Sequence, residues 1–109
     1  MEKLIVFIPH QDDEINLVGN ILFDLVKKYE VYIVYSSSDA DIKKATIRKK
    51  EAINSCFVYG IDKNKIIFLD YPDTANKIGY HFFIDGDKSI VNKLKKIINN
   101  LQPRIIIGT

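Results

Sequence analysis

The chain alternates short apolar runs with longer segments in which apolar residues recur at helical spacing. The first run, residues 4–8, is wholly apolar, and such a run is typical of a central parallel strand that is buried on both faces. Further strands are predicted at residues 31–35, 65–69 and 104–107, and helices at about 15–28, 41–59 and 90–101. With right-handed crossovers, this order predicts an α/β fold, a Rossmann-like three-layer sandwich whose parallel sheet has the strand order 3-2-1-4.

The second predicted helix carries signals at both of its ends. Asp41 is expected to cap its amino terminus and Gly60 to follow it as a C′ glycine. Residues 36–39 before it are expected to form a polar turn, and residues 70–87, farther on, a long loop. The apolar face of this helix is predicted to consist of Ile42, Ala45, Ala52, Ile53, Cys56 and Phe57.

Length and composition indicate one domain, residues 1–109. A chain of 109 residues with 47% hydrophobic content can bury a single modest core. The net charge of +2, carried by scattered lysines, gives no reason to expect a nucleic-acid partner. Cys56 is the only cysteine and is expected in the core, since no internal disulfide can form. No apolar run is long enough for a signal peptide or a membrane span, so a cytoplasmic location is expected.

A histidine and three carboxylates follow the first strand, at residues 10–14. Open α/β sheets bind ligands at the carboxyl ends of their strands. His10 and Asp13 lie three residues apart in a turn, so both side chains can be aimed at one point. Imidazole nitrogen and carboxylate oxygen are good zinc ligands, and a catalytic zinc has three protein ligands and a water. Asp12 must point elsewhere, which suits a general base acting on that water.

The same residues have a simpler interpretation. Asp12 or Asp13 can serve only as the N-cap of the first helix, with Glu14 in the favourable first turn of the helix dipole. His10 would then be an ordinary loop histidine. A histidine placed three residues before Asp13, directly after a buried strand, favours the chemical interpretation.

Residues 10–14 resemble the His-Pro-Asp-Asp-Glu segment of the PIG-L (LmbE-like) family of zinc-dependent N-deacetylases, with Gln11 in place of the proline. Weaker similarities follow at residues 19–20, at residues 48–52 with 59–60, and at residues 69–73. The resemblance implies a zinc-dependent amide hydrolase that removes an acetyl group from an N-acetylglucosamine-like sugar or glycoconjugate. It implies zinc held by His10 and Asp13, with Asp12 as the catalytic base.

The resemblance also suggests two substrate contacts. Arg48 would reach a substrate phosphate or hydroxyl, although an arginine three residues before Glu51 on a helix often forms an exposed ion pair. Asp73 would bind a sugar hydroxyl, although an aspartate after Pro72 is also an ordinary turn residue.

The family's third metal ligand is a histidine located after a later strand, and His81, in a polar loop, does not match it. The chain is therefore expected to be the amino-terminal portion of a larger enzyme, inactive as it stands. The unpaired edge of its last strand would allow self-association into a homo-oligomer.

Two alternatives belong to other functional classes. In a response-regulator receiver domain, Asp12 and Asp13 would bind Mg²⁺, Asp70 would accept a phosphoryl group and Thr109 would be the switch hydroxyl. The chain lacks the fifth strand with its lysine, and the loop after Asp70 is too long. A nucleotide-binding module without catalysis is the other alternative, but no Gly-x-Gly-x-x-Gly segment follows the first strand.

Overall fold

The computed structural model describes residues 1–8, 19–38, 41–72 and 88–108. In chain order the elements are β1 (Lys3–Ile8), α1 (Gly19–Lys28), β2 (Glu30–Ser38), α2 (Ile42–Val58), a 3₁₀ turn (Lys63–Lys65), β3 (Ile66–Pro72), α3 (Lys88–Leu101) and β4 (Ile105–Gly108).

The four strands form one parallel sheet in the order β3-β2-β1-β4. This confirms the predicted α/β fold and strand order. β1 is central: Ile8 pairs with Tyr35 of β2, and Phe7 pairs with Gly108 of β4. Because a central parallel strand is covered on both faces, residues of either parity along β1 are buried, including Leu4 and Ile5.

Helices cover the two faces of the sheet, which gives three layers. Successive side chains of a strand point to opposite faces. On one face, Leu4, Val6 and Ile8 belong to the main core together with residues of α1 and α2. The fully or nearly fully buried members of this core are Leu4, Val6, Ile8, Leu22, Val31, Ile33, Tyr35, Ala52, Cys56, Ile61 and Ile66. On the other face, Ile5 and Phe7 line a small apolar cavity with residues of α3.

Both ends of α2 are closed as predicted. The Asp41 side chain accepts hydrogen bonds from the backbone N–H groups of Lys43, at 2.9 Å, and Lys44, at 3.3 Å. At the carboxyl end, Gly60 has a φ of 86°, a conformation that favours glycine. The amides of Gly60 and Ile61 donate to the carbonyls of Phe57 and Cys56, both at 2.9 Å, which is the Schellman arrangement.

The predicted turn after the second strand is wrong. β2 continues through Ser38, because Ser37 and Ser38 pair with Tyr71 and Pro72 of β3. Backbone groups make these pairs, so polar side chains do not prevent them. β3 likewise continues to Pro72, three residues past its predicted end, and a proline is tolerated there because β3 is an edge strand of the described sheet.

Other boundaries differ by a residue. Lys65 belongs to the 3₁₀ turn and β3 begins at Ile66, whereas β4 starts one residue later than predicted, at Ile105. Helix residues 15–18 lie outside the described residues.

The predicted apolar face of α2 is correct only in part. Ala52 and Cys56 are buried and Ile53 packs against the core. Ile42 and Phe57 are 82% and 70% exposed. Ile42 is on the same side of the helix as Cys56, about four turns away, but it is the first residue of the helix. Phe57 lies about 100° around the helix from Cys56.

Among the described residues, no helix combines the length and apolar character needed to cross a bilayer. The cytoplasmic location stays a prediction.

Candidate functional site

The carboxyl ends of all four strands meet at one edge of the sheet, because the strands are parallel. These ends are Ile8, Ser38, Pro72 and Gly108. We call this the carboxyl edge. The segments that follow them, residues 9–18, 39–40, 73–87 and 109, lie outside the described residues.

Most of the predicted site residues belong to these segments. His10, Asp12 and Asp13 follow β1 within five residues, and Asp73 follows β3 directly. His81 and Thr109 also lie outside the described part of the chain. The roles assigned to all of them stay predictions. The structure describes the strands that these segments follow.

The strand order gives a topological switch point between β1 and β4. The chain leaves β1 through α1 towards β2 on one side, and it returns through α3 to β4 on the other side. The two crossovers lie on opposite faces of the sheet. Open α/β sheets bind ligands at such a switch point, outside the carboxyl ends of the strands. The segment that contains residues 10–14 follows Ile8 at this point.

An irregularity in β3 lies near the same edge. Tyr35 pairs with Phe68, and Ser37 pairs with Tyr71. The two pairs are separated by two residues along β2 but by three residues along β3. β3 therefore carries one extra residue between these pairs. Bulges of this kind are frequent at the rims of sheets and next to active sites, where they redirect a strand.

Arg48 is the one predicted site residue whose side chain the structure describes. It is exposed and lies six residues after Ile42, about 9 Å along the axis of α2. Asp41, which caps α2, is only three residues after the end of β2, so the amino terminus of α2 lies by the carboxyl edge. Helical Cα–Cβ bonds tilt towards the helix amino terminus, and that of Arg48 therefore tilts towards the carboxyl edge. Its substrate contact stays a prediction.

Within residues 1–8, 19–38, 41–72 and 88–108, no group of three or more His, Cys, Asp or Glu residues is placed to hold a metal ion. The predicted ligands His10 and Asp13 are outside these ranges.

The buried pair of Tyr35 and Cys56 was not singled out by the sequence reasoning. The Tyr35 hydroxyl lies 3.9 Å from the Cys56 sulfur, and the Tyr35 ring stacks on Phe68 at 5.4 Å between centroids. Burial raises the pKa of the Cys56 thiol to about 11, although its hydrogen bond to Tyr35 opposes the shift. Burial also raises the pKa of Tyr35. A protonated, buried thiol is a poor nucleophile, which confirms that Cys56 is a core residue.

The sheet order argues against the receiver-domain alternative. Receiver domains have the flavodoxin-like order 2-1-3-4-5, in which the first and third strands are neighbours. Here β2 lies between β1 and β3. Asp70 is therefore on an edge strand two positions away from the strand that precedes Asp12 and Asp13.

Two matches with known proteins are informative. The sequence model of the PIG-L family, described as GlcNAc-PI de-N-acetylase, matches residues 5–109. Among solved structures, the chain is similar to the N,N'-diacetylchitobiose deacetylase from Pyrococcus horikoshii, with 26% sequence identity and a TM-score of 0.75. The match covers 96% of this chain and 39% of the deacetylase chain.

Proposed function

The chain belongs to the PIG-L family, and from this premise we propose that the protein is a metal-dependent N-deacetylase that removes an acetyl group from an N-acetylglucosamine-like sugar or glycoconjugate. The observation that carries the proposal is the family match over residues 5–109, which includes the segment His10 to Glu14. The likeness to a solved chitobiose deacetylase supports the same class of reaction.

We propose that His10 and Asp13 bind the metal ion, most suitably zinc. Their donor atoms, an imidazole nitrogen and a carboxylate oxygen, fit zinc well. Their segment leaves β1 at the β1/β4 switch point, where ligands of open α/β sheets bind. When bound, the ion supplies a Lewis acid that lowers the pKa of water to about 7.

Asp12 is the catalytic base in this proposal. Its carboxylate accepts a proton from the attacking water as the water oxygen bonds to the acetamide carbonyl carbon. Asp12 then returns the proton to the leaving nitrogen as the C–N bond breaks, giving a free amine and acetic acid, which ionises to acetate. A carboxylate next to Asp13 in sequence, but not itself a ligand, is suited to this double role.

Arg48 and Asp73 are proposed to bind the substrate. Arg48 supports this role through its exposure and through its position in the amino-terminal half of α2, near the carboxyl edge. Asp73 directly follows the last residue of β3 at the same edge. An arginine suits a phosphate or a hydroxyl group of a substrate, and a carboxylate suits a sugar hydroxyl.

Two ligands are one fewer than a catalytic zinc normally has. We propose that the 109-residue chain alone neither holds zinc tightly nor deacetylates. Metal analysis after dialysis, with acetate release from N-acetylglucosamine derivatives, tests this. Stoichiometric zinc with robust acetate release would show that His81 or a neighbouring copy completes the site.

The proposed function is tested by Asp12→Asn in the full-length protein. This change keeps size and hydrogen bonding but removes the base, so metal content should persist while kcat falls by roughly 10²- to 10⁴-fold. Asp62→Asn is the matched control, because Asp62 is an exposed aspartate beside the 3₁₀ turn, before β3 begins. Unchanged turnover in Asp12→Asn would reduce Asp12 to a helix cap.

A further inference from the structure

The outward face of α2 carries large apolar side chains that the fold leaves in solvent. Ile47, Phe57 and Val58 are 57%, 70% and 70% exposed. Single exposed apolar residues are ordinary, but several on one helix indicate a surface that contacts something else.

These side chains and two lysines form two adjacent rows. Ile47 and Val58 are eleven residues apart, about three helical turns, and so share one row. Lys43, Lys50 and Phe57 are spaced by seven residues and form the neighbouring row. Lys43 and Lys50 therefore flank Ile47 at its i−4 and i+3 positions. All five side chains are exposed, and we call them the outward face of α2.

The charge of α2 is concentrated and of one sign. The helix contains five basic residues and one acidic residue, Glu51, whereas the whole chain has a net charge of only +2. The remainder of the chain is therefore slightly acidic. Lys43 and Lys50 flank the exposed Ile47, whereas the Lys49 ammonium lies over the Phe68 ring, 5.4 Å from its centroid.

We propose that the outward face of α2 docks on the surface of a membrane containing anionic phospholipids. Interfacial helices combine exposed aliphatic or aromatic side chains with lysines that contact anionic headgroups. A nucleic acid would engage the lysines but leave Ile47 and Val58 in water. A second copy of this chain would bring two positively charged helices together, which disfavours self-association through this face.

The inward face of α2 is fixed in the core, so the helix can dock through its outward face without a change in the fold. Ala52 and Cys56 are buried in the main core, and both ends of the helix are capped. The helix therefore presents its outward face as a fixed surface. α3 covers the other face of the sheet and would point away from the membrane.

Co-sedimentation with vesicles tests the proposal. The protein should bind vesicles of phosphatidylcholine with phosphatidylserine, bind phosphatidylcholine vesicles much more weakly, and lose binding at high salt. Lys43→Gln combined with Lys50→Gln should reduce partitioning by roughly 30-fold, from the usual contribution of a basic residue near an anionic leaflet. Lys95→Gln combined with Lys96→Gln, two exposed lysines of α3, is the matched control and should change little.

A fluorescent reporter distinguishes insertion from loose electrostatic attraction. The sequence contains no tryptophan, so Phe57→Trp provides a single indole on the outward face. Its emission should shift to the blue with anionic vesicles and should not shift in the double-lysine background. Circular dichroism checks that each variant is folded.

Several results would overturn the proposal: no binding to anionic vesicles, equal loss of binding in the α3 control, or binding of the Phe57→Trp variant without a blue shift of its indole emission. A lipid-free dimer that Val58→Ser converts to monomer would instead identify the face as an interface between copies. The deacetylase proposal is independent, because none of the proposed site residues belongs to the outward face of α2, and vesicle binding can be measured whether or not the chain deacetylates.

Discussion

Alkaline pH should destabilise this protein through the buried thiol of Cys56. Burial raises the thiol pKa from its ordinary value of 9.0 to about 11. In the unfolded chain the thiol ionises near its ordinary pKa, whereas in the folded chain it keeps its proton. The folded state therefore binds more protons between these two values, and the free energy of unfolding falls as the pH rises through this window.

The magnitude follows from the size of the shift. A pKa difference of this size corresponds to a contribution of about 2.7 kcal/mol to the free energy of unfolding. About 2 kcal/mol of this contribution is lost between about pH 8 and about pH 10.5. Below the unfolded pKa the contribution is fully present. Tyr35, whose pKa burial also raises, adds a loss of the same sign at higher pH.

Cys56→Ala isolates the effect of the thiol. Removing the sulfur lowers the free energy of unfolding by an amount that does not depend on pH, because alanine has no ionisable group. Urea unfolding followed by circular dichroism under reducing conditions, repeated across this pH range, measures both proteins. The wild type should lose about 2 kcal/mol more than the variant as the pH rises. Parallel stability curves for the two proteins would refute the reasoning and would mean that water reaches the thiol in the folded state.

Two further predictions concern the fold. Leu4→Ala, in the fully buried centre of the core, should lower the free energy of unfolding by roughly 2–5 kcal/mol, while Ile106→Ala, at a side chain 51% exposed, should cost much less; equal losses in urea titrations would contradict the assigned core. Asp41→Ala should cost about 1 kcal/mol through loss of the α2 cap, and Asp62→Ala, whose side chain makes no cap hydrogen bond, should cost little. Similar midpoints for these two aspartate variants would count against the capping role.

Sequence patterns predicted the sheet because its central strands are apolar on both faces. The apolar run at residues 4–8 can be buried only between two layers of helices. The segments between the runs have helical spacing, so they are expected to connect parallel strands by right-handed crossovers. Asp41 and Gly60 were predictable for a local reason, since capping depends on one side chain or one backbone conformation.

The strand ends were not predictable in the same way. Ser37 and Ser38 lie in β2 because β3 pairs with their backbone, and a turn-like composition does not report on a partner distant in sequence. Ile42 and Phe57 have helical spacing, but whether they are buried depends on where the sheet ends beneath α2. For the candidate site, the sequence predicted the segment of residues 10–14 and its location at the carboxyl edge. Whether the side chains of His10, Asp12 and Asp13 come together depends on the path of residues outside the described ranges.

The pairing of β2 with β3 continues beyond the level of the last described residue of β1. Ile8 is level with Tyr35, and β2 continues for three more residues to Ser38, where it is paired with Pro72. At the usual rise of a strand this difference is about 10 Å. The proposed metal ligands and base follow β1, whereas the proposed substrate contact Asp73 follows this extension of β3. We therefore expect changes after β1 to alter the turnover of every substrate of the proposed deacetylase, and changes after β3 to alter which substrates fit.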